Sequence, residues 1–127
     1  MDKEFINAKK APAAVGPYVH ARRAGNMYFI SGQLGLVPDT GELAVGLEAQ
    51  THQSLKNLGI ILEEAGLEYS DVVKTAIFLD DIDDFATVNE IYSQYFTGVT
   101  PARSCVEVGR IPKNALVEIE AIAMKDN

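Results

Sequence analysis

The spacing of apolar residues predicts two amphipathic helices. From about residue 47 to 65, apolar residues return every three or four positions, and Gly66 is suited to end the helix. A second stretch, from about 84 to 96, shows the same period, with Asp83 or Asp84 as a suitable N-cap. The first stripe contains Leu47, Gln50, Thr51, Leu55, Leu58, Ile61 and Leu62, and the second contains Phe85, Val88, Tyr92, Tyr95 and Phe96.

The rest of the chain shows strand patterns separated by turns. Residues at about 18–23 and 27–31 predict a hairpin that turns at Ala24-Gly25-Asn26, and Pro38-Asp39-Thr40-Gly41 predicts a second turn. Further strands are predicted at 71–79, 103–109 and 116–124. This order of elements indicates an α+β fold with a mixed sheet and two helices on one face. We expect residues 1–127 to form a single domain.

The strand at 71–79 is apolar on both of its faces, which is typical of a strand covered from both sides. Alternation places Val73, Ile77 and Leu79 on one face and Val72, Ala76 and Phe78 on the other. Two helices can cover only one face of such a sheet. A second copy of the chain is the simplest cover for the other face, so the pattern predicts a homo-oligomer.

Alternation also places charged residues on the face expected to be covered by that second copy. If Val106 and Val108 face the helices, Arg103 and Cys105 point away from them. On the last strand, Glu118 and Glu120 also point away from the helices. Charges on a covered face must be paired or must line a wet cleft. An arginine and a glutamate in such a cleft indicate a small-molecule site, although the same two residues could form an interface ion pair.

Composition and charge narrow the possible partners. The net charge is −7, which disfavours binding to nucleic acid, and no run of lysine and arginine exceeds a pair. One cysteine and two histidines cannot build a Cys/His zinc site or an internal disulfide. The N-terminal residues lack the apolar core of a signal peptide, and no apolar run reaches membrane-spanning length. We therefore expect a soluble cytoplasmic protein with no membrane partner.

Five separated motifs carry a family resemblance. In chain order they are "APAAVGPYVHA", "MYFISGQLG", "FATVNEIYSQYF", "TPARSCVEVGRIPK" and "VEIEAIA", and they span about residues 11–123. In sequence, spacing and order they resemble the RidA/YjgF family of reactive-intermediate deaminases, also described as the L-PSP endoribonuclease family. The resemblance implies a fold like that of the bacillus-type chorismate mutase. It also implies a homotrimer whose sheets form a central barrel, with clefts between neighbouring subunits.

The resemblance also implies an activity and a set of site residues. The family hydrolyses reactive enamines and imines, 2-aminoacrylate or 2-iminopropanoate and 2-iminobutanoate, to 2-keto acids and ammonia, and so protects pyridoxal-phosphate enzymes. Carried over, Arg103 would hold the substrate carboxylate and Glu118 would hold the attacking water. Cys105, Tyr18, Ser31, Gly32 and Asn89 would line the substrate site, with Tyr18 reaching across the subunit boundary. No metal or organic cofactor is expected.

Two departures from the family pattern bear on the substrate. Thr100 precedes Pro101 where many relatives have an aromatic residue or a second proline, and the loop at Gly98-Val99 differs in length from that of some members. Both changes lie near the expected rim of the cleft. They leave Arg103 in place and affect the expected range of substrates.

Several other residue patterns are interpreted as structural. Cys105 is expected to act as a small apolar residue, since a free cysteine seldom serves as a nucleophile. His20 and His52 are expected at the surface. The acidic stretch 80–84 lacks the spacing of a calcium loop, and the glycines of "SGQLG" are not followed by the lysine of a phosphate loop.

Two other functions remain possible from sequence. Members of the family have also been described as ribonucleases and translation inhibitors, but the acidic charge and the lack of a basic stripe count against RNA binding. A non-catalytic sensor of purine or branched-chain amino-acid metabolites would carry the same arginine-lined carboxylate site. Turnover, rather than binding, separates a sensor from an enzyme.

Overall fold

A six-stranded mixed sheet and two helices form the fold in the computed structural model, which describes residues 4–125. The strands are β1 (Phe5–Ile6), β2 (Ala21–Ala24), β3 (Met27–Leu34), β4 (Val72–Leu79), β5 (Ala102–Glu107) and β6 (Val117–Met124). The helices are α1 (Leu47–Glu64) and α2 (Phe85–Tyr92). The α+β class and the mixed sheet predicted from the pattern are confirmed.

The strand order in the sheet is β1-β2-β3-β6-β4-β5. All neighbouring strands are antiparallel except β4 and β5, which run parallel because α2 carries the chain back across the sheet between them. The hairpin β2–β3 turns through Gly25 at φ 62°, a left-handed conformation that glycine adopts without a Cβ penalty. Strand β2 begins at Ala21, later than predicted, and the short strand β1 was not predicted.

Both helices lie on one face of the sheet, as predicted, and bury the core there. Leu55, Leu58 and Ile61 of α1 are fully buried, and Gly66 follows the helix at φ 77° as the expected end. Helix α2 is shorter than predicted and ends at Tyr92. The sheet residues of the same core are Ile30, Val72, Ile77, Leu79, Val117, Ile119, Ala121 and Ala123.

Helix α2 begins after Asp84, which is the N-cap residue as predicted, but the Asp84 side chain makes no capping hydrogen bond. Instead, the Asp81 side chain accepts a hydrogen bond of 2.9 Å from the Asp83 backbone N–H in the 3-10 turn that leads into α2. The acidic stretch 80–84 therefore forms a loop and a short turn capped by Asp81, and it ends at the N-cap of α2.

A β-bulge in β4 corrects the predicted faces of its first residues. Val72 pairs with Ala123 and Lys74 pairs with Ile122, so Val73 is the extra residue between them. The bulge reverses the alternation at this end of the strand. Val72 therefore shares the buried, helix-side face with Ile77 and Leu79, and Val73, which is 43% exposed, lies on the other face. The two valines exchange the faces that alternation gave them.

Polar side chains of α1 hold the end of β3. Ser54 Oγ donates to the Gln33 carbonyl at 2.7 Å, and Asn57 Nδ2 donates to the carbonyls of Leu34 and Leu36 at 3.1 and 2.9 Å. The segment comes so close to α1 that a Cβ atom on Gly35 would collide with the Gln50 backbone. These bonds fix the position of the strand end that contributes to the site below. Within residues 4–125, no helix is long and apolar enough to cross a membrane.

Candidate functional site

The outer face of the sheet, the face turned away from the helices, carries Glu118 and Glu120. Glu118 lies beside Phe78 of β4 and Leu34 of β3, while the alternate residues Val117 and Ile119 are buried under the helices. The predicted orientation of both glutamates is therefore confirmed. The other side chains of this face in the register of the sheet are Arg22, Phe29, Lys74, Ala76, Ser104, Val106 and Ile122.

Glu118 lies over an irregularity in β3. The pairing of β3 with β6 shifts between Ile30 and Gln33, so Ser31 and Gly32 bulge opposite β6. The Glu118 carboxylate covers Gly32 so closely that a Cβ atom there would lie 2.6 Å from Glu118 Oε2. Glycine at this position therefore gives the carboxylate the space it occupies.

A small cavity of about 40 Å³ adjoins this carboxylate. We call it, together with Glu118, the glutamate pocket, and its lining includes Pro12, Ala13, Ala14, Tyr18, Gly32 and Pro112. The volume is enough for ordered water, which needs roughly 10–15 Å³ per molecule by this kind of measure. Tyr18 is 45% exposed and its hydroxyl accepts a 3.3 Å bond from the Val15 backbone N–H.

Burial raises the pKa of the Glu118 carboxyl, and the charge of nearby Glu120 raises this pKa further. Both causes disfavour the ionised form. A carboxyl group with a raised pKa both takes up and returns a proton more readily near neutral pH than an ordinary glutamate does. Glu118 is therefore suited to proton transfer as well as to binding water.

His20 holds the wall of the glutamate pocket and is not a surface residue, contrary to the prediction. It is buried at 4% exposure; its Nδ1 accepts a 3.0 Å bond from the Ala8 N–H, and its Nε2 donates a 2.8 Å bond to the Pro12 carbonyl. This bonding assigns the neutral ring with the proton on Nε2. The spacing of apolar residues could not reveal it, because both partners lie in an irregular segment. His52, in turn, is half-buried on α1 and bonds Tyr95 at 2.7 Å.

Ser31 lies between the pocket and a wider groove. Its hydroxyl donates a 2.7 Å bond to the Val19 carbonyl, which leaves the oxygen free to accept. The groove, of about 640 Å³, is also lined by Tyr18, Phe29, Arg22 and Glu120. Tyr18 borders both spaces and so links the groove lined by Ser31 to the pocket lined by Gly32.

Arg103 and Cys105 lie on the helix side of the sheet, which corrects the prediction from alternation. Arg103 is in register with Thr75, and Cys105 with Ile77; both β4 residues face the helices. In a parallel pair, residues in register point to the same face. Val106 therefore points to the outer face, where it is 47% exposed. Val108, beyond the strand, packs in a second apolar cluster with Leu34 and Phe78.

Aromatic rings of α2 surround the Arg103 side chain. The guanidinium carbon lies 5.3 Å from the centre of the Phe85 ring and 5.0 Å from that of the Tyr92 ring. Asn89 lies four residues after Phe85 and three before Tyr92, so all three share one stripe of α2. We call Arg103, Cys105, Phe85, Asn89 and Tyr92 the arginine cluster. The helical period had placed Phe85 and Tyr92 on the apolar stripe of α2 and had not predicted their contact with Arg103.

Cys105 belongs to the apolar part of this cluster. Its side chain is half-buried and packs against the helix-side core. Burial raises the pKa of the thiol, and this effect exceeds the opposing influence of the Arg103 charge. A protonated, partly buried thiol is a poor nucleophile, which agrees with the structural interpretation made from sequence.

The chain therefore carries two separate groups of candidate residues. The glutamate pocket brings Glu118, Gly32 and Tyr18 together on the outer face, with Ser31 beside them. The arginine cluster lies on the opposite side, at the edge strand β5. Arg103 and Glu118, which alternation had placed on one face, are on different faces of the same sheet. A site that uses both residues requires two copies of the chain.

The part of the chain from residue 4 to 125 contains no group of three or more His, Cys, Asp or Glu side chains arranged to hold a metal ion. The acidic stretch 80–84, which lies within these residues, offers no such group. There, burial first and then the charges of Asp81, Asp80 and Asp83 raise the pKa of Asp84.

Known proteins resemble the chain over nearly its full length. The 2-iminobutanoate/2-iminopropanoate deaminase of Escherichia coli (strain K12) is 50% identical over 123 residues, which cover 94% of this chain and 96% of that protein. Reactive Intermediate Deaminase A, chloroplastic, of Arabidopsis thaliana is 53% identical over 122 residues. That match covers 95% of this chain, and the chain spans 65% of the length of the Arabidopsis protein.

A solved structure and a family profile agree with these relatives. A crystal structure of E. coli TdcF with bound serine matches the fold with a TM-score of 0.93 at 43% identity, over 98% of this chain and 100% of that chain. The profile of the family described as endoribonuclease L-PSP matches residues 8–125. The chain therefore belongs to the endoribonuclease L-PSP family, the RidA/YjgF family that its five motifs resemble.

Proposed function

We propose that this protein hydrolyses small 2-imino acids and their enamine tautomers to 2-keto acids and ammonia. The substrates would be 2-iminobutanoate and 2-iminopropanoate, the latter being the imine form of 2-aminoacrylate. The observation that carries the proposal is the complementary pair of groups: a guanidinium held between aromatic rings and a partly buried carboxyl group with a raised pKa. The relatives at about half identity that are named for this activity support it.

Arg103 would hold the carboxylate that all these substrates share. Its planar guanidinium offers parallel N–H donors that match the two oxygens of a carboxylate. Asn89 shares one stripe of α2 with Phe85 and Tyr92, and Cys105 lies on the same strand as Arg103. Both residues would border the carboxylate end of the substrate. When the substrate is bound in a fixed position next to a bound water molecule, the two react as neighbours. This removes much of the entropic barrier to the reaction.

Glu118 would bind the attacking water and move its proton. The water oxygen adds to C2 of the protonated imine, and the proton that it loses passes to the carboxylate. Glu118 then gives this proton to the nitrogen of the tetrahedral intermediate. The C–N bond breaks and its electron pair leaves with ammonia. The C2 hydroxyl gives its remaining proton to the Glu118 carboxylate as it becomes the carbonyl of the 2-keto acid, and Glu118 returns this proton to solvent. Only water and protons are exchanged, so we expect no cofactor.

The site would be completed by a neighbouring copy of the chain in a homotrimer. The arginine cluster and the glutamate pocket lie on opposite faces within one chain, so a shared cleft must lie between subunits. Exposed apolar side chains on the outer face support an interface there: Phe29 is 46% and Val106 47% exposed. The family resemblance supplies the number three and the central barrel formed by the outer faces. Tyr18, Ser31 and Gly32 would then meet the substrate from the side of Glu118.

A coupled assay tests the proposal. A threonine or serine dehydratase generates the imine, semicarbazide competes to trap it, and formation of the 2-keto acid is timed with and without the purified protein. We expect faster release of the keto acid with the wild type, and loss of the acceleration with Arg103→Ala. No acceleration with either substrate would contradict the proposal and would favour a binding or sensing role.

The description of the family as an endoribonuclease favours a second candidate function, the cleavage of RNA. The net charge of −7 opposes binding to a phosphate backbone. Retention of labelled RNA on a gel at low and high salt, followed by analysis of the RNA for cuts, separates the two functions. Cleavage that survives Arg103→Ala and Glu118→Gln would assign RNA processing to a different part of the molecule.

We place this activity in the cytoplasm. The single cysteine is a free thiol, as in proteins of reducing compartments. Fractionation of cells that express the tagged protein is the direct measurement, and recovery from an organelle or from the membrane fraction would contradict this location.

A further inference from the structure

The two rings near Arg103 contact it in a way that leaves its hydrogen-bond donors available. Phe85 and Tyr92 are seven residues apart on α2, two turns along one stripe, and the guanidinium carbon lies 5.3 and 5.0 Å from their ring centres. A cation beside an aromatic face is attracted by the negative charge of that face. These contacts involve the faces of the rings and no N–H group of the guanidinium.

Tyr92 is itself fixed to the sheet. Its hydroxyl forms a 2.7 Å bond with Thr75 Oγ1, and Thr75 is fully buried. Thr75 lies next to Arg103 in the register of β4 and β5. The hydrogen bond therefore ties the ring that supports Arg103 to the strand that runs beside it. Phe85, by contrast, is 39% exposed and forms the open side of the arrangement.

We infer that Phe85 and Tyr92, with Thr75 as the anchor of Tyr92, are positioning residues that orient the Arg103 guanidinium to bind a carboxylate. The inference rests on the proposed role of Arg103 as the group that holds the substrate carboxylate. A free arginine side chain samples many rotamers, and a bidentate bond to a carboxylate needs one orientation of the guanidinium plane. The rings restrict that plane before the substrate arrives, so less conformational freedom is lost on binding.

Phe85 and Thr75 support the orientation of Arg103 in different ways. Removing the Phe85 ring removes one cation–π contact without disturbing the buried core. Replacing Thr75 by valine keeps the volume of the side chain but leaves the Tyr92 hydroxyl without its buried partner, so the ring is free to shift. Both changes should weaken carboxylate binding more than they slow the chemical step, because neither touches Glu118.

The experiment compares matched pairs of variants. Phe85→Leu is paired with Phe85→Tyr, which keeps an aromatic ring, and Thr75→Val with Thr75→Ser, which keeps the hydroxyl. Tyr95→Phe is the control, since Tyr95 belongs to the same aromatic group but packs on Tyr69 and His52. KM and kcat are measured with 2-iminobutanoate, and the Kd of the product 2-oxobutanoate is measured by calorimetric titration. Circular dichroism shows that each variant is folded.

For Phe85→Leu we expect KM and the Kd of 2-oxobutanoate to rise about two- to fivefold, the effect of one partly exposed cation–π contact, with kcat nearly unchanged. Phe85→Tyr should restore both constants. Thr75→Val should raise KM in the same direction, and Thr75→Ser should reverse the change. Tyr95→Phe should match the wild type. A merely structural role would lower stability without this split between KM and kcat.

Two results would overturn the inference. One is unchanged KM and Kd in both Phe85→Leu and Thr75→Val while Arg103→Ala abolishes binding; the proposed function would then stand without the positioning role. The other is a wild type that binds no 2-oxobutanoate, which would remove the carboxylate site altogether. If the wild type binds the keto acid but does not hydrolyse the imine, the deaminase proposal fails, and the Kd series still decides whether the rings orient Arg103.

Discussion

The glutamate pocket and the arginine cluster place a charge on the sheet by different means. Glu118 lies over a strand irregularity, and a histidine-bonded loop closes the space beside it, so burial raises its pKa. Arg103 lies at an edge strand, where aromatic rings of α2 contact it and leave part of it exposed. The glutamate pocket shields a carboxyl group from water, whereas the arginine cluster leaves a guanidinium group accessible to water.

This difference suggests how the two regions divide the proposed reaction. A carboxyl group that exchanges protons benefits from an environment that disfavours its charge, while a guanidinium that binds an anion must stay charged and accessible. A single pocket in one chain would have to meet both requirements at close range. In the proposed trimer, the glutamate pocket and the arginine cluster would meet them separately, on opposite faces of each sheet, and would come together between neighbouring copies.

Mixing two inactive variants gives the strongest test of this division. Arg103→Ala and Glu118→Gln, assembled separately, should each lose at least about 30-fold in kcat/KM, the cost of removing one partner of a buried charged hydrogen bond. Unfolding and refolding them together at equal amounts should restore activity, because some clefts then receive Arg103 from one subunit and Glu118 from its neighbour. Random assembly gives about one quarter of clefts intact.

The control for this experiment is each variant refolded alone under the same conditions. No recovery in the mixture, with trimers confirmed by light scattering, would mean that the two regions do not share a cleft. The comparison between the pocket and the cluster would then describe two unrelated features of the fold.

The sequence pattern predicted the elements well but could not assign all of their faces. The helical period located α1, and alternation oriented Glu118 and Glu120 correctly, because β6 is central and one of its faces is buried by α1. Strand β5 is an edge strand, where apolar residues do not mark the core. Val106 lies on the outer face and is 47% exposed, so taking it as a core residue reversed the predicted faces of Arg103 and Cys105.

Irregular backbone explains what else could not be predicted. The bulge at Val73 exchanges two valines of equal hydropathy, so no pattern of apolar residues can reveal it. The partners of His20 are backbone groups of residues 8 and 12, which periodicity does not bring near it. The motif that contains Ser31 and Gly32 was recognised by resemblance. That Gly32 makes room for the Glu118 carboxylate became visible only in the structure.

Gly32→Ala should damage the glutamate pocket and leave the arginine cluster intact. The new Cβ atom would displace the Glu118 carboxylate, and misplacing a catalytic group by about 1 Å can cost up to roughly 100-fold in rate. Because the displaced atoms are the end of a flexible side chain, we expect stability to change by less than about 1 kcal/mol. Steady-state kinetics should show a fall in kcat of about 10- to 100-fold, and the Kd of 2-oxobutanoate should change much less, because Arg103 still binds the carboxylate.

Gly109→Ala is the matched control, since no atom beyond the chain neighbours of Gly109 lies within 4 Å of a Cβ atom built there. Wild-type kcat in Gly32→Ala would contradict a catalytic role for Glu118 in its observed position. Equal damage to kcat and to keto-acid binding would show that the two regions are not functionally separable.

His20→Ala tests whether the pocket wall needs its buried hydrogen bonds. The change leaves the Ala8 N–H and the Pro12 carbonyl without their partner, which should cost roughly 1–3 kcal/mol and lower activity several-fold. His20→Gln offers one donor and one acceptor and should recover part of the loss. Urea unfolding at fixed protein concentration measures the change, with His52→Gln as the comparison on α1. An unaltered unfolding midpoint in His20→Ala would show that the wall is held by other contacts.

The smallest effect we expect is a shift in pH dependence on changing Glu120. Burial and, to a smaller extent, the Glu120 charge raise the pKa of Glu118, so the acid limb of kcat/KM should lie above the range of an ordinary glutamate. Glu120→Gln removes only the second cause, and the limb should move to lower pH while staying above that range.

The raised pKa of Glu118 also changes the free energy of unfolding with pH, in a defined direction. A carboxyl group with a raised pKa in the folded state lowers stability as pH rises from its unfolded pKa through its folded pKa, and Glu120→Gln should reduce this fall. Rate and urea-unfolding profiles between about pH 4 and 8 measure both effects, with the exposed Glu64→Gln as the control. An acid limb that does not move in Glu120→Gln, or that moves upward, would mean that the limb reports a group other than Glu118. The proton-transfer role assigned to the glutamate pocket would then have to be given up, while the arginine cluster would keep its role in carboxylate binding.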